Sequence, residues 1–114
     1  MTIKQIAEIL EAEFICCEEH KDKEVHTACG SDMMSDVLAY VKDQAVLITG
    51  LCNPQVVRTA EMMDMICIVF VRGKRPTEDA IALAKGKGMV MLTTQERMFS
   101  ACGKLYEAGL HPGS

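Results

Sequence analysis

Three apolar runs without period-2 alternation constrain this chain more than any other feature. They are Ala45-Val46-Leu47-Ile48-Thr49, Met65-Ile66-Cys67-Ile68-Val69-Phe70-Val71 and Met89-Val90-Met91-Leu92-Thr93. Each is short, and β-branched residues recur in them, which favours strand over helix. A strand that is apolar at every position must be covered on both faces, the situation of parallel strands between helices. The segments between the runs read as helices. Asn53-Pro54 supplies a cap and a first helical residue, and Val56, Val57, Ala60 and Met63 continue the pattern. Thr77-Glu78-Asp79 opens a second helix with Ala80, Ile81 and Ala84 inside, and Gly86 and Gly88 read as its stop. Thr93-x-x-Glu96 matches a capping box. It precedes an apolar stripe of Met98, Ala101, Cys102 and Leu105 that runs to Ala108 and the stop Gly109.

The flanking segments extend this series. Thr2 to Leu10 reads as a first helix with Ile3, Ile6, Ala7 and Leu10 on one face, and Glu13 to Cys17 as a short strand. Glu18 to Glu24 is a charged loop, and Val25 to Gly30 a second strand. A helix start is expected between Ser31 and Ser35, with Met34, Val37, Leu38 and Val41 as its apolar face. Strands alternating with helices across short connections predict right-handed β-α-β units. The expected fold is α/β, a small mostly parallel sheet with flanking helices, Rossmann-like, in three layers or two. One domain over residues 1–110, with a tail over 111–114, accounts for the 114 residues.

Composition removes several function classes. A net charge of -4 argues against nonspecific nucleic-acid binding, which needs many cations facing phosphates. Aromatic residues are 4% with no Trp, too few for a base-stacking platform. No apolar run approaches the ~20 residues of a membrane helix, and Met1-Thr2-Ile3-Lys4-Gln5 lacks the basic start of a signal peptide. The expected location is cytoplasmic, and the six cysteines are expected to be reduced thiols there. There is no C-x-x-C; His26-x-x-Cys29 is the nearest thing to a ligand pair. Neither a metal nor a cofactor is expected. Most of the nine methionines sit at apolar-periodic positions and are expected in the core.

In an open parallel sheet, ligands bind beyond the carboxyl ends of the strands. That rule gathers Ser31 and Asp32, then Thr49, Gly50, Cys52 and Asn53, then Arg72, Gly73 and Lys74, then Thr93 and Thr94. Helix N-termini at the same edge are expected to offer free N–H groups to an anion. The cluster Arg72-Gly73-Lys74-Arg75 reads either as a solvated loop or as an anion contact. No phosphate loop, G-x-G-x-x-G fingerprint, nucleophile elbow or H-E-x-x-H is present. No catalytic residue is therefore expected. The leading reading is a non-catalytic regulatory or ligand-binding module that senses a small anionic metabolite or docks a partner protein, as a homodimer. One alternative is a small phosphotransfer or hydrolytic enzyme using Asp32, Asp36 and the Arg72–Arg75 loop. Another is a Cys-based redox or metal partner using Cys29, Cys52 and His26.

The order of the segments resembles the DRTGG domain family, an α/β module of similar length. The resemblance is carried by "VHTACGSDMMSDVLAYV", "AVLITG", "MICIVFVRGKRPTEDAIALAKGKGMVMLTT" and "FSACGKLYEAGL". The family is similar to the N-terminal domain of HPr kinase/phosphorylase, and also occurs beside CBS domains in some pyrophosphatases and within phosphotransacetylases. The resemblance implies an accessory or regulatory module. Its naming residues are largely replaced. Leu51-Cys52-Asn53-Pro54 stands where the family's Asp-Arg belongs, and Val71-Arg72-Gly73 keeps only the last glycine of Thr-Gly-Gly. The variant looks like stand-alone members, with an Asn-Pro helix start and a Gly-x-x-Pro loop. The kinase activity of HPr kinase belongs to a domain this chain lacks and is not implied.

Overall fold

The computed structural model describes residues 1–40 and 43–112. The elements are α1 (Ile3–Leu10), β1 (Glu13–Cys16), β2 (Thr27–Gly30), α2 (Met34–Val37), β3 (Ala45–Thr49), α3 (Pro54–Met62), β4 (Met65–Phe70), α4 (Glu78–Lys87), β5 (Val90–Thr93) and α5 (Met98–Glu107). They build one sheet in the order β1-β5-β4-β3-β2. β2, β3, β4 and β5 run parallel, and β1 joins antiparallel to β5. The three apolar runs therefore occupy the middle of the sheet, with β4 at its centre.

Because β2 to β5 are neighbours in chain order, each crossover returns over the same face. Val37, Val56, Val57, Ala60, Ala80 and Ala84 of α2, α3 and α4 pack there against Leu47, Ile68, Phe70 and Met91. The other face is covered by the first and last helices. Ile3, Ile6, Leu10, Ala101 and Leu105 pack there against Val46, Ile48, Cys67, Val69 and Val90. The fold is thus three-layered, and the two-layer option falls away. A register shift between Ala45 and Val46 opposite β4 places Ile66 and Cys67 on the same face. This bulge lets Met65 and Ile68 both serve the opposite core.

Local chemistry explains the helix limits. Thr2 caps α1 in a reciprocal capping box with Gln5. Asn53 caps α3 with Pro54 at its first turn, and Thr77 caps α4 by accepting from the Ala80 N–H. Gly88 ends α4 in the left-handed conformation at φ 67°.

Several expectations are corrected. Gly86 lies inside α4 and does not stop it. The capping box at Thr93 and Glu96 is absent. α5 starts later, with Arg97 at the cap position and no side-chain cap bond. The two threonines serve the loop instead: Thr93 Oγ1 donates to the Lys74 carbonyl, and Thr94 Oγ1 donates to the Leu10 carbonyl. β2 begins at Thr27, so His26 lies outside it, and β1 ends before Cys17, which is left-handed at φ 60°. α2 is only four residues, with Leu38 exposed after it. Val41, expected on its apolar face, lies outside the described residues, as do the last two tail residues. Met33 and Met62 are exposed, while Met63, Met65, Met89 and Met91 are core.

Candidate functional site

The four parallel strands end at Gly30, Thr49, Phe70 and Thr93, and the following loops share one edge. Asp32 ties two of them together. Its Oδ1 accepts from Thr49 Oγ1 at 3.0 Å and from the Gly50 N–H at 2.6 Å. The Thr49 hydroxyl in turn accepts from the Leu51 N–H at 3.1 Å. Thr49 is itself fully buried, so the bonds that hold it also satisfy an otherwise costly buried hydroxyl.

Arg72 lies across the same turn. It is left-handed at φ 59° and is followed by Gly73 at φ 66°. A side-chain-bearing residue in that region costs about 1–2 kcal/mol. The turn is held by Arg72 N–H to Glu96 O and Gly73 N–H to Thr94 O, both 2.8 Å. A Cβ added to Gly50 would lie 2.6 Å from Arg72 Nη2 and 3.5 Å from Asp32 Oδ1. The guanidinium therefore covers Gly50 beside the carboxylate, and a side chain at position 50 would push it aside.

Lys74 and Cys52 complete the group. Burial pushes the half-buried Cys52 thiol up, the nearby Lys74 and Arg72 charges pull it down, and Asp32 pushes it up. All four groups thus share one electrostatic neighbourhood. Among the described residues, Arg72 and Lys74 make no ion pair, whereas Arg75 pairs with Glu13 at 3.2 Å. Both unpaired cations are exposed.

The edge brings together Asp32, Thr49, Gly50, Cys52, Arg72 and Lys74. The remaining expected residues have structural duties. Ser31 bonds within its own turn, its hydroxyl accepting from the Met33 N–H. Asn53 uses its side-chain oxygen on Gln55, and Gly73 supplies a turn. Thr93 holds the Lys74 carbonyl at 2.7 Å.

The helix N-termini do not provide the free donors expected of them. At α3, Pro54 has no N–H, Gln55 N–H donates to Asn53 Oδ1, and Val56 N–H donates to Asn53 O. At α4 the first turn carries Glu78 and Asp79, whose charge opposes an anion. The cationic side chains, rather than backbone N–H groups, give this edge its attraction for negative charge. Sequence reasoning also missed Gln95 and Glu96, which abut Gly73 and Arg72. Reading the segment as a helix start hid its role as a loop that braces its neighbour.

The expected alternatives are poorly assembled. A cleft of about 700 Å³ lies at the opposite end of the sheet, lined by residues including Glu8, Glu24 and His26. An apolar hollow of about 180 Å³ lies between β2 and α5, lined in part by Gly30, Tyr40, Cys102 and Tyr106. Asp32, Asp36 and Arg72 line neither. His26 Nδ1 bonds Asp43 Oδ1 at 3.0 Å, away from the buried Cys29. Cys29 lies beside Tyr40, Cys102 and Asp36, a different neighbourhood from that of Cys52. Among the described residues, no three His, Cys, Asp or Glu side chains are placed to hold a metal ion.

Comparison with known proteins now adds the family. The DRTGG domain model matches residues 5–108. The chain belongs to the DRTGG domain family. A solved structure from Clostridium perfringens has a similar fold: the CBS and DRTGG domains of the regulatory region of a pyrophosphatase, complexed with its activator diadenosine tetraphosphate. It aligns with TM-score 0.73 at 18% identity, over 97% of this chain and 47% of that one. This DRTGG domain therefore spans about half the length of that solved chain. No curated protein matches the sequence. No described helix is long and apolar enough to cross a membrane.

All six cysteines of this DRTGG domain are free thiols. Burial pushes Cys16 up to about 11, with the neighbouring Cys17 adding to the shift, and drives the fully buried Cys67 higher still. The thiolate is the reactive form. A disulfide reagent at neutral pH is therefore expected to leave Cys16, Cys29 and Cys67 unmodified in the native protein. All six should titrate after unfolding without reductant. Rapid native modification of Cys67 would contradict its place in the sheet.

Proposed function

We propose that this DRTGG domain is a cytoplasmic, non-catalytic regulatory module that takes a small anionic ligand at the carboxyl edge of its sheet and works as a homodimer. The observation that carries this reading is the pair of unpaired cations, Arg72 and Lys74, with Arg72 lodged over Gly50 beside Asp32. Ser31, Thr49, Cys52, Asn53, Gly73 and Thr93 frame that position. The architecture supports binding without turnover: the one thiol in the group, Cys52, is pushed up by burial and, among the described residues, has no histidine beside it to act as base, and phosphoryl transfer needs a phosphate cradle with a metal-holding acid. The neighbouring pyrophosphatase regulatory region, which was solved with a nucleotide activator, supports a polyphosphate-bearing ligand as the class to try first.

Homodimer assembly is supported by exposed apolar surface. Phe99 and Tyr106 on α5 are 89% and 60% exposed, and Met33 is 61% exposed. Large exposed apolar side chains grouped on one element mark interaction sites. Native mass spectrometry of freshly purified protein at micromolar concentration tests both parts. The expected spectrum shows a dimer, with an adduct of small mass that is lost on extensive exchange. A bare monomer at every concentration would remove the assembly, and ATP turnover that disappears with Asp32→Ala would replace the binding module with an enzyme.

A further inference from the structure

The donors that an incoming anion would use at the end of β3 are already occupied by the chain itself. The Gly50 N–H and the Thr49 hydroxyl both point at Asp32 Oδ1, and the Arg72 guanidinium lies over Gly50 beside that oxygen. A negatively charged group thus holds two donors at the strand end, with the Arg72 guanidinium across Gly50 from it and not ion-paired to it. We infer that Asp32 is a built-in competitor. It fills this position in the free protein, and an anionic ligand reaches the Gly50 and Thr49 donors by displacing it. The inference rests on the ligand-binding reading above and adds how binding would be transmitted.

The segment that carries Asp32 is lightly held. Ser31 N–H donates to Ile48 O at 3.0 Å, which anchors the loop at its start. Beyond that anchor Asp32 and Met33 are exposed, and α2 has four residues with Val37 alone buried. Its cap position, Met33, has no side-chain cap bond. Few buried contacts mean a low local opening free energy. Losing the two Asp32 bonds would therefore loosen α2 while the sheet stays intact. Occupancy at the sheet edge would then be reported on the surface that displays Met33 and Leu38.

The test is a titration with inorganic pyrophosphate, monitored by calorimetry and by the Gly50 amide resonance. The variants are Asp32→Ala, Asp32→Asn, Arg72→Ala and Asp36→Ala. Asp32→Ala empties the position, whereas Asp32→Asn removes the charge but keeps an oxygen to accept both bonds. Asp36 is exposed on α2 and makes no side-chain hydrogen bond among the described residues, so Asp36→Ala controls for net charge alone. Asp32→Ala is expected to bind ~10-fold more tightly than wild type or more, since it frees two donors for a charge-assisted contact. Asp32→Asn should gain less, and Asp36→Ala little. Saturating pyrophosphate should also speed amide exchange over residues 34–37 in the wild type.

Equal affinity of Asp32→Ala and Asp36→Ala, with binding still lost in Arg72→Ala, would overturn the competitor and leave the site standing. Unchanged exchange over residues 34–37 would overturn the coupling to α2. Binding that ignores Arg72→Ala would overturn the site reading, and absence of binding in every variant would overturn both.

Discussion

Phe70→Ala is expected to cost about 3–5 kcal/mol of folding stability, the range for truncating a buried aromatic. Phe70 is fully buried at the end of the central strand, with Val56, Val57, Ala60, Ala80 and Ala84 in the same cluster. The surrounding β-branched and alanine side chains have little freedom to collapse into the space left behind. Domains of this kind have about 5–15 kcal/mol in total, so the substitution removes much of the margin. Phe99→Ala is the matched control. That ring is 89% exposed, and its loss is expected to stay within about 0.5 kcal/mol. Urea unfolding checks both, with a lowered midpoint and an unchanged slope for Phe70→Ala. Similar midpoints for the two variants would contradict the placement of β4 between two helical layers.

The fold was legible wherever burial on both faces left a continuous apolar run. β3, β4 and β5 lie within the runs that start at Ala45, Met65 and Met89, with Met89 left just outside the last strand. The Asn53-Pro54 and Thr77 helix starts also hold, because capping is a local interaction between a side chain and the next few N–H groups. What failed was local chemistry with more than one outlet. Thr93 and Glu96 have capping-box spacing, but the Thr93 hydroxyl found the Lys74 carbonyl, a partner 19 residues away. Gly86 is compatible with a helix stop, yet Gly88 takes the left-handed position and Gly86 remains helical at a modest propensity cost. The choice between two and three layers depended on strand order, which no single segment encodes.

The candidate site was legible as a set of loops but not as a set of contacts. The strand-end rule placed Asp32, Gly50 and Arg72 at one edge. Nothing in the sequence showed that Asp32 bonds Gly50, or that Arg72 adopts a left-handed turn above it. The expectation of free helix donors also ran ahead of the chemistry. The Asn-Pro signal that marks the α3 start is the same feature that removes its donors, since proline lacks an N–H and asparagine caps the next one.

The second large effect is expected from removing both unpaired cations. Arg72→Ala with Lys74→Ala takes away the positive charge of the edge and leaves Asp32 as its main charged group. Hydrogen bonds to charged groups contribute about 1.5–3 kcal/mol each, so the loss of anion affinity should be ~10- to 100-fold or more. Stability should change little, because both side chains are exposed and the turn is held by backbone bonds from Arg72 and Gly73. The same contacts are screened by salt over about 10 Å at 0.1 M ionic strength, so wild-type binding should weaken as salt rises. Calorimetric titration of inorganic pyrophosphate into wild type and the double variant, each shown folded by its unfolding curve, tests the site most directly. The expected result is wild-type binding that the double variant loses by at least ~10-fold. Equal affinity in the two proteins would contradict it and reduce the Arg72–Arg75 segment to a solvated turn.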